Sequence, residues 1–263
     1  MMISPAEFQD DLDELRAVAA RVSICCRPLS NVRLRGEEDF RPRERFPAAS
    51  VIKAAIMATL LEGCASGKLS LQETVTVRRE DMVGGAGVLF ELEERAYTLA
   101  ELCTLMMVVS DNTASNACLR AVGFESFREF CQRRGYDAEI HRFFMSPVVD
   151  GRDNFLTAEA AAFVLADLYC GEGLTPELRE FAVGCLRRQQ FREKIPLMLP
   201  EDTVVGHKTG ELPGVRHDAA VVETDDPYVL VILTADGGAP WEVDLAIAKH
   251  SLRMYQKRVS VER

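Results

Sequence analysis

Strand-like segments occur only near the two ends of this 263-residue chain, and helical patterns fill the region between them. After residue 200, three apolar, β-branched segments at 203–208, 215–223 and 228–235 follow one another. Near the start of the chain, residues 22–29 have the same texture. The simplest architecture that fits this distribution is one antiparallel sheet built from both ends of the chain, with a helical lobe inserted between them.

We therefore predict the α+β class, with an α/β lobe formed by residues 1–45 and 191–263 and an all-helical lobe formed by residues 46–190. The sheet is expected to pack against a first helix that begins at Ser4-Pro5 and a last helix over 241–256. Helices of the middle region are predicted at 48–64, from Thr98 onward, and at 112–122, 124–134, 157–169 and 175–189. Two further features are predicted: a hairpin that pairs 22–29 with 31–34, and a long loop over 136–156.

Charge and cysteine content exclude several classes of function. The formal net charge is −10, so the chain lacks the positive surface to which nucleic acids and anionic membranes bind. The first residues show no basic start followed by an apolar run, which argues against a signal peptide and favours a cytoplasmic protein. The eight cysteines have no C-x-x-C spacing, so we expect free thiols and no zinc site. The histidines form no metal-binding pattern, and no cofactor is expected.

A serine and a lysine one helical turn apart form the first candidate site. Ser50 and Lys53 open the most apolar predicted helix, and a spacing of three puts both side chains on one helix face. A lysine half-buried in such a helix loses solvation, so its neutral amine can accept the proton of the serine hydroxyl. The alternative is a helix cap followed by a solvated lysine, because S-x-x-K alone is expected about once by chance at this length.

The second candidate is the run Ser110-Asp111-Asn112, which directly follows an apolar helix. A buried run that ends in three polar residues indicates side chains presented to a cleft. The alternative is that Ser110 or Asp111 caps the next helix by accepting a hydrogen bond from its first free N–H groups.

The third candidate is Lys208-Thr209-Gly210, which continues from the strand predicted at 203–208. These residues offer a cation, a hydroxyl and a backbone that no side chain obstructs. The alternative is an edge strand whose lysine protects it from pairing with another chain. Each of the tripeptides at 110–112 and 208–210 is expected by chance only about a few hundredths of a time, so the three motifs together favour one shared site.

In this order, the three motifs resemble the signature of class A β-lactamases and penicillin-binding proteins. The resemblance extends beyond the motifs to four segments, at 46–53, 99–116, 156–168 and 206–222. It implies a β-lactamase/transpeptidase-like fold in which the active site lies between an α/β lobe and an all-helical lobe.

The resemblance also implies roles for individual residues. Ser50 would be the acylated nucleophile, Lys53 its base, and Ser110 the group that passes a proton to the leaving nitrogen. The implied substrate-binding groups are Asn112 at the amide, Lys208 and Thr209 at the carboxylate, and the backbone N–H groups of Ser50 and Glu211 at the oxyanion. Arg216 is a candidate second cation for the carboxylate, with a solvated charge at the start of a strand as the alternative.

One departure from the family's pattern affects the expected activity. Class A β-lactamases carry a Glu that activates the deacylating water, whereas residues 141–146 contain no carboxylate, and Glu139, Asp150 and Asp153 stand at other spacings. We therefore predict a serine hydrolase that opens a small-molecule amide or ester through an acyl-serine and hydrolyses β-lactams slowly. The alternatives are a cytosolic esterase or peptidase acting on a carboxylate-bearing substrate, and a penicillin-binding module that acylates and stalls.

Overall fold

The computed structural model describes residues 5–260 of the chain. The helices are α1 (Pro5–Val18), α2 (Lys53–Ala65), α3 (Leu99–Val108), α4 (Asn112–Val122), α5 (Phe124–Arg134), α6 (Ala158–Cys170), α7 (Pro176–Arg187) and α8 (Pro240–Ser260). The strands are β1 (Ala19–Pro28), β2 (Arg45–Pro47), β3 (Thr74–Val77), β4 (Arg95–Thr98), β5 (Ala138–Glu139), β6 (Phe155–Thr157), β7 (Val204–Leu212), β8 (Val215–Glu223) and β9 (Tyr228–Gly237). None of the helices between residues 5 and 260 is long and apolar enough to cross a membrane.

The largest sheet joins the two ends of the chain, and the predicted fold class is confirmed. Its four strands lie in the order β1-β9-β8-β7, and each neighbouring pair is antiparallel. The first strand pairs with the last along its whole length, from Ala19 opposite Gly237 to Pro28 opposite Tyr228. Strand β7, which carries Lys208, is therefore an edge strand. The division of the chain into lobes at residues 45 and 190 stays a prediction.

Both faces of this sheet are covered, because successive strand residues point to opposite sides. On β9, Leu230 and Ile232 belong to an apolar cluster with residues of α1 and α8, whereas Val231 and Leu233 belong to the cluster that contains the middle helices. Near-continuous apolar strands of this kind are typical of sheets buried on both faces. The middle helices thus pack directly on the sheet face to which the side chain of Lys208 points.

Helix α2 lies at the centre of the helical region. Residues on all of its sides are buried, among them Ile56, Met57 and Leu60, and a helix that is apolar all round is typical of a core position. It contacts α4, α5 and α6, and these contacts hold the residues at its amino end in place.

Two predictions for the first part of the chain are wrong, namely the strand at 31–34 and the start of the helix predicted at 48–64. Residues 31–34 form no strand: Leu29–Asn31 is a short 3-10 turn. Strand β1 pairs with β9 on one side, and on its other side the described residues form only an isolated bridge between Ile24 and Phe40. Helix α2 begins at Lys53 rather than near residue 48. Ala49 has a left-handed φ of 45°, which prevents a continuous helix there. The predicted capping residue Ser4 lies outside the described residues.

The middle of the chain also contains short strands that periodicity does not reveal. The predicted loop at 136–156 contains β5 and β6, which form a small sheet with β2. Strands β3 and β4 form a separate pair. Such strands of two to four residues are too short to show alternation. The remaining predicted helices and the three strands after residue 200 are confirmed to within a few residues.

Candidate active site

Ser50 lies in a tight turn between β2 and α2, and the chain entering that turn is anchored by a buried histidine. His217 Nε2 lies 2.8 Å from the carbonyl oxygen of Pro47, while the backbone N–H of Thr234 donates to His217 Nδ1. The ring proton therefore lies on Nε2, which donates to Pro47. Burial lowers the pKa of His217 to about 4, so the ring is neutral and fixed in this tautomer.

The turn is also held from the other side, by the edge strand β7. A Cβ atom at Gly210 would lie 3.0 Å from the backbone nitrogen of Ser50 and 3.1 Å from that of Val51. Only glycine permits this approach without a shift of the turn. The contact places the residue before Glu211 directly against the Ser50 amide. An oxyanion hole formed by the backbone N–H groups of Ser50 and Glu211 stays a prediction.

Lys53 is fully buried and its Nζ has three oxygen neighbours. Its Nζ lies 2.6 Å from the Ser110 carbonyl oxygen, 3.1 Å from Ser110 Oγ and 2.8 Å from Asn112 Oδ1. Burial first, and then the charge of Lys208, lower the pKa of Lys53 well below its ordinary value. A neutral amine keeps two N–H donors for the carbonyl and amide oxygens and leaves its lone pair for a hydroxyl proton.

Ser110 adopts a strained backbone that presents two of its atoms to Lys53. Its φ is 56°, a left-handed value that costs a serine free energy and is concentrated at functional sites. Asp111 caps α4 by accepting from the backbone N–H of Ala114. The capping alternative is therefore confirmed for Asp111, while Ser110 and Asn112 face the lysine.

Asn112 is buried and its amide bridges two elements of the site. The Oδ1 atom accepts from Lys53, and Nδ2 donates to the carbonyl oxygen of Gly84 at 2.9 Å. The Asn112 backbone N–H donates to the carbonyl oxygen of Ala86. These bonds hold the glycine-rich 84–87 segment along the cleft.

Lys208 reaches Ser110 from the sheet side. Its Nζ donates to Ser110 Oγ at 3.1 Å and to the Thr209 carbonyl oxygen at 2.8 Å. Burial lowers the pKa of Lys208 to about 7, although the carboxylates of Glu211 and Asp218 act in the opposite direction. Two buried lysines from different elements thus share one serine hydroxyl.

These residues border one cleft with a volume of about 360 Å³. Ser50, Ser110, Asn112 and Glu211 line it, and the buried Lys53 and Lys208 reach its Ser110 wall. Three other predicted residues, Thr209, Gly210 and Arg216, do not line it.

The hydroxyl of Thr209 is buried and has no hydrogen-bond partner among the described residues. The guanidinium of Arg216 forms a two-pronged pair with Asp244 of α8. A contact of Thr209 or Arg216 with substrate stays a prediction.

The opposite wall of the cleft is the β5–β6 loop (residues 140–154), and its residue Phe144 contacts Lys53. The ring centroid lies 4.6 Å from Lys53 Nζ. Its backbone is held by Asn116, which accepts from the Phe144 N–H at 2.8 Å and donates to the Phe144 carbonyl oxygen at 3.1 Å. The loop therefore presents an aromatic ring to the candidate base.

Three acidic residues near this loop, Asp153, Glu139 and Asp150, are either paired with basic side chains or exposed outside the cleft. Asp153 lines the cleft, but its Oδ1 accepts from Arg142 Nε at 2.7 Å. Glu139 contacts Arg45 and His141. Asp150 is exposed and does not line the cleft.

Sequence reasoning missed three residues that shape the site, namely Asn116, Lys194 and His217. Asn116 follows Asn112 by four residues on one face of α4, and this spacing of two amides on a buried face was a usable signal. Lys194, described below, stands in a charged segment and gave no signal. His217 lies in a strand whose apolar neighbours predict burial but not its contact with Pro47.

Comparison with known proteins agrees with this geometry. A family model described as the β-lactamase enzyme family matches residues 8–257. The β-lactamase PSE-4 of Pseudomonas aeruginosa is 32% identical over 210 residues, which cover 78% of this chain and 68% of that protein.

Two solved structures have the same fold. An ancestral class A β-lactamase is 27% identical with a TM-score of 0.85, over 95% of this chain and 99% of that chain. A variant of PBP-A, as its acyl-enzyme complex with penicillin G, is 22% identical with a TM-score of 0.81, over 98% and 97% of the two chains. On the family match, the fold and the motifs together, this chain belongs to the β-lactamase enzyme family as a class A β-lactamase-like serine hydrolase.

Proposed function

We propose that this protein opens β-lactams by acylation of Ser50 and releases the acyl group slowly. The observation that carries the proposal is the contrast at Lys53. On one side of its Nζ lie Ser110 and Asn112, and on the other side lies the ring of Phe144. The relatives named as β-lactamases support a β-lactam as the substrate.

Acylation requires only groups that stand on the first side. Neutral Lys53 takes the hydroxyl proton of Ser50, and Ser50 Oγ attacks the lactam carbonyl carbon, whose negative oxygen is bound by the backbone N–H groups of Ser50 and Glu211. The carbon–nitrogen bond then breaks. Ser110 gives its proton to the leaving nitrogen and regains one from Lys53, so the ring opens and an ester forms without consuming water.

Deacylation consumes a water molecule, whose proton needs an acceptor next to the acyl carbon. The carboxylates that act electrostatically on Lys53 are Asp111 and Glu211. Asp111 already accepts from the backbone N–H groups of Val88 and Leu89, and Glu211 is paired with Lys194. Loss of a positioned general base typically slows such a step by about 10²–10⁴-fold.

The test is mass spectrometry of the intact protein mixed with penicillin G and followed over time. We expect an adduct of the mass of penicillin G that maps to Ser50 and clears over minutes or longer. The variant Ser50→Ala should form no adduct. Steady-state hydrolysis at rates on the order of 10² per second or more would contradict the proposal, because another group would then have to activate the water.

A further inference from the structure

One side chain, that of Met145 on the β5–β6 loop, bridges the two sides of the cleft. Met145 lines the cleft together with Gly85 and Asn112, which lie across from the loop. A Cβ atom at Gly85 would lie 2.7 Å from Met145 Sδ and 3.0 Å from Met145 Cε. The end of the methionine side chain is therefore packed directly against the backbone of Gly85, and only glycine leaves room for it there.

The backbone on both sides of Met145 is fixed by hydrogen bonds. Before it, the backbone of Phe144 is held by the side chain of Asn116. After it, the carbonyl oxygen of Ser146 accepts from Arg142 Nη1 at 2.8 Å. Met145 itself has a left-handed φ of 66°, which costs a methionine free energy and persists only where the surroundings impose it. The loop backbone therefore determines where this side chain leaves the loop.

Met145 covers the end of the cleft at which the amide of Asn112 lies. The Cβ position at Gly85 that is close to the methionine is also 3.1 Å from Asn112 Nδ2, so the tip of Met145 and this amide are neighbours. Met145 is 57% exposed, and it thus lies over the cleft rather than in the core. A substituent that extends from the acyl group toward Asn112, as the predicted contact with a substrate amide requires, would meet the tip of Met145.

The cleft is small enough for one side chain to affect what fits. Its volume of about 360 Å³ lies near the lower end of the range of about 300–1,000 Å³ that is usual for small-molecule sites. A methionine side chain has three rotatable bonds, so a bulky substituent can displace Met145 at the cost of its contact with Gly85. A small substituent leaves that contact in place.

We propose that Met145 is a specificity-determining residue that narrows the Asn112 end of the cleft and thereby slows acylation by donors with a bulky substituent there, relative to donors with a small one. This inference rests on the proposed acylation of Ser50. It adds the size of the acyl substituent as a property by which the protein selects its substrate. Binding of an amide by Asn112 is compatible with it, because Met145 limits the size of the adjoining group and not its chemistry.

The experiment compares penicillin G with 6-aminopenicillanic acid, which has the same bicyclic nucleus and carboxylate but lacks the phenylacetyl group. The rate constant for adduct formation on Ser50 is measured by mass spectrometry for the unmodified protein and for Met145→Ala. We expect Met145→Ala to speed the reaction with penicillin G about tenfold, the low end of the discrimination that one apolar group gives in a pocket. The reaction with 6-aminopenicillanic acid should change by less than about twofold, since its amine is too short to displace the methionine.

Two further variants separate the size of this side chain from the state of the loop. Met145→Leu is a substitution of similar volume and should keep most of the discrimination against penicillin G. Val148→Ala shortens an exposed apolar side chain of the same loop that does not line the cleft, so it should leave the ratio of the two rates unchanged. Alanine rather than glycine replaces Met145, because glycine would also relieve the left-handed backbone.

The possible results distinguish this inference from the proposed function. Adducts with both probes, but an equal effect of Met145→Ala on the two rates, would overturn the role of Met145 and leave acylation of Ser50 intact. A selective loss of the penicillin G reaction in Met145→Ala would also overturn it, because the methionine would then bind the phenylacetyl group. The same selective rise in Val148→Ala would assign the effect to a looser loop and overturn it as well. Absence of any adduct with either probe in every variant would overturn the proposed function and this inference with it.

Discussion

The two walls of the cleft differ in the polar groups that they present to a substrate. The wall formed by the Ser50 turn, α2, the 110–112 motif and β7 presents hydroxyls, amines and backbone N–H groups that contact one another. The β5–β6 loop opposite presents the ring of Phe144 and a paired Arg142 and Asp153. By the proposed mechanism, the first wall suffices to form an acyl-serine, whereas hydrolysis of that ester would need a group on the second.

Under the proposed function, this difference means that the family signature is retained while one step of the reaction is weakened. The three motifs all lie on the first wall. The loop is tied to that wall through Asn116 rather than through a catalytic group, so its residue at 144 can change without disturbing Ser50 or Lys208. We therefore expect acylation and deacylation to be separable in this protein, so that each wall can be tested alone.

The largest effect is expected from supplying the second wall with a base. Phe144→Glu places a carboxylate in the cleft, where the ring centroid now lies 4.6 Å from Lys53 Nζ. We expect release of the penicillin G adduct to accelerate by about 10²–10⁴-fold, measured by the decay of the adduct in intact-protein mass spectrometry.

The matched control is Phe144→Gln, which has the same length but no basic oxygen. It should leave the release rate within about tenfold of the unmodified protein, a change that loss of the ring alone can cause. Equal acceleration by Gln and Glu would show that opening the loop to water, rather than a missing base, limits deacylation.

The sequence predicts the first wall well because its chemistry is encoded in short motifs. The three motifs and their order predict that Ser50, Ser110 and Lys208 share one site, and the structure brings them to one cleft. The sheet was predictable for a similar reason: β8 and β9 are long enough for an apolar pattern to be visible.

For the second wall, the sequence predicts only that a carboxylate is missing, and not which side chain faces Lys53. The lack of a carboxylate at 141–146 is visible in the sequence, but the contact between Phe144 and Lys53 depends on how a long loop folds. Asn116 fixes that loop through hydrogen bonds to the backbone of residue 144. Because almost any residue can form such bonds, the amino acid at position 144 does not reveal them. Likewise, the pairing of Lys194 with Glu211 joins residues of two separate segments whose charges look like ordinary surface charges.

A second prediction tests the geometry of the first wall. Gly210→Ala would place a methyl group 3.0 Å from the Ser50 nitrogen, and either β7 or the turn must then shift. Misplacing an oxyanion donor costs about 10² in rate, so the acylation rate constant with the methyl ester of penicillin G should fall by about that factor.

Gly184→Ala in α7 is the control for this substitution, because its Cβ would meet only a side-chain nitrogen of Arg188 at 3.6 Å. It should leave acylation unchanged and leave thermal stability unchanged or higher, since alanine favours a helix over glycine. Unimpaired acylation by Gly210→Ala would remove the evidence that the packing of β7 on the Ser50 turn positions the reaction.

A third prediction concerns the attachment of the second wall. Asn116→Ala removes both bonds to the backbone of Phe144 and leaves a buried N–H and carbonyl without partners. Unfolding free energy should fall by about 1–3 kcal/mol, as measured by chemical denaturation. Acylation should stay within about threefold, because Asn116 contacts no group of the first wall that reacts. A large loss of acylation without loss of stability would mean that the loop takes part in forming the adduct.

The smallest effect is a dependence on pH that belongs to the first wall. The pKa of Lys208 is about 7 because burial disfavours its charge, so the fraction of Lys208 that is cationic falls as the pH rises through that value. A substrate carboxylate gains from this cation and a methyl ester does not. We expect the ratio of the acylation rates of penicillin G and its methyl ester to fall by up to about tenfold between pH 6 and pH 8.

The ratio isolates Lys208 because the other titrating amine acts on both probes alike. Lys53 must be neutral to accept the Ser50 proton, so acylation of either probe rises with pH through the lowered pKa of Lys53, and this rise cancels in the ratio. Since Glu211 raises the pKa of Lys208, the midpoint should move to lower pH in Glu211→Gln. A ratio that stays constant from pH 6 to pH 8 would show that Lys208 does not meet the substrate carboxylate, and the neutral-range titration would then have to act through Ser110 alone.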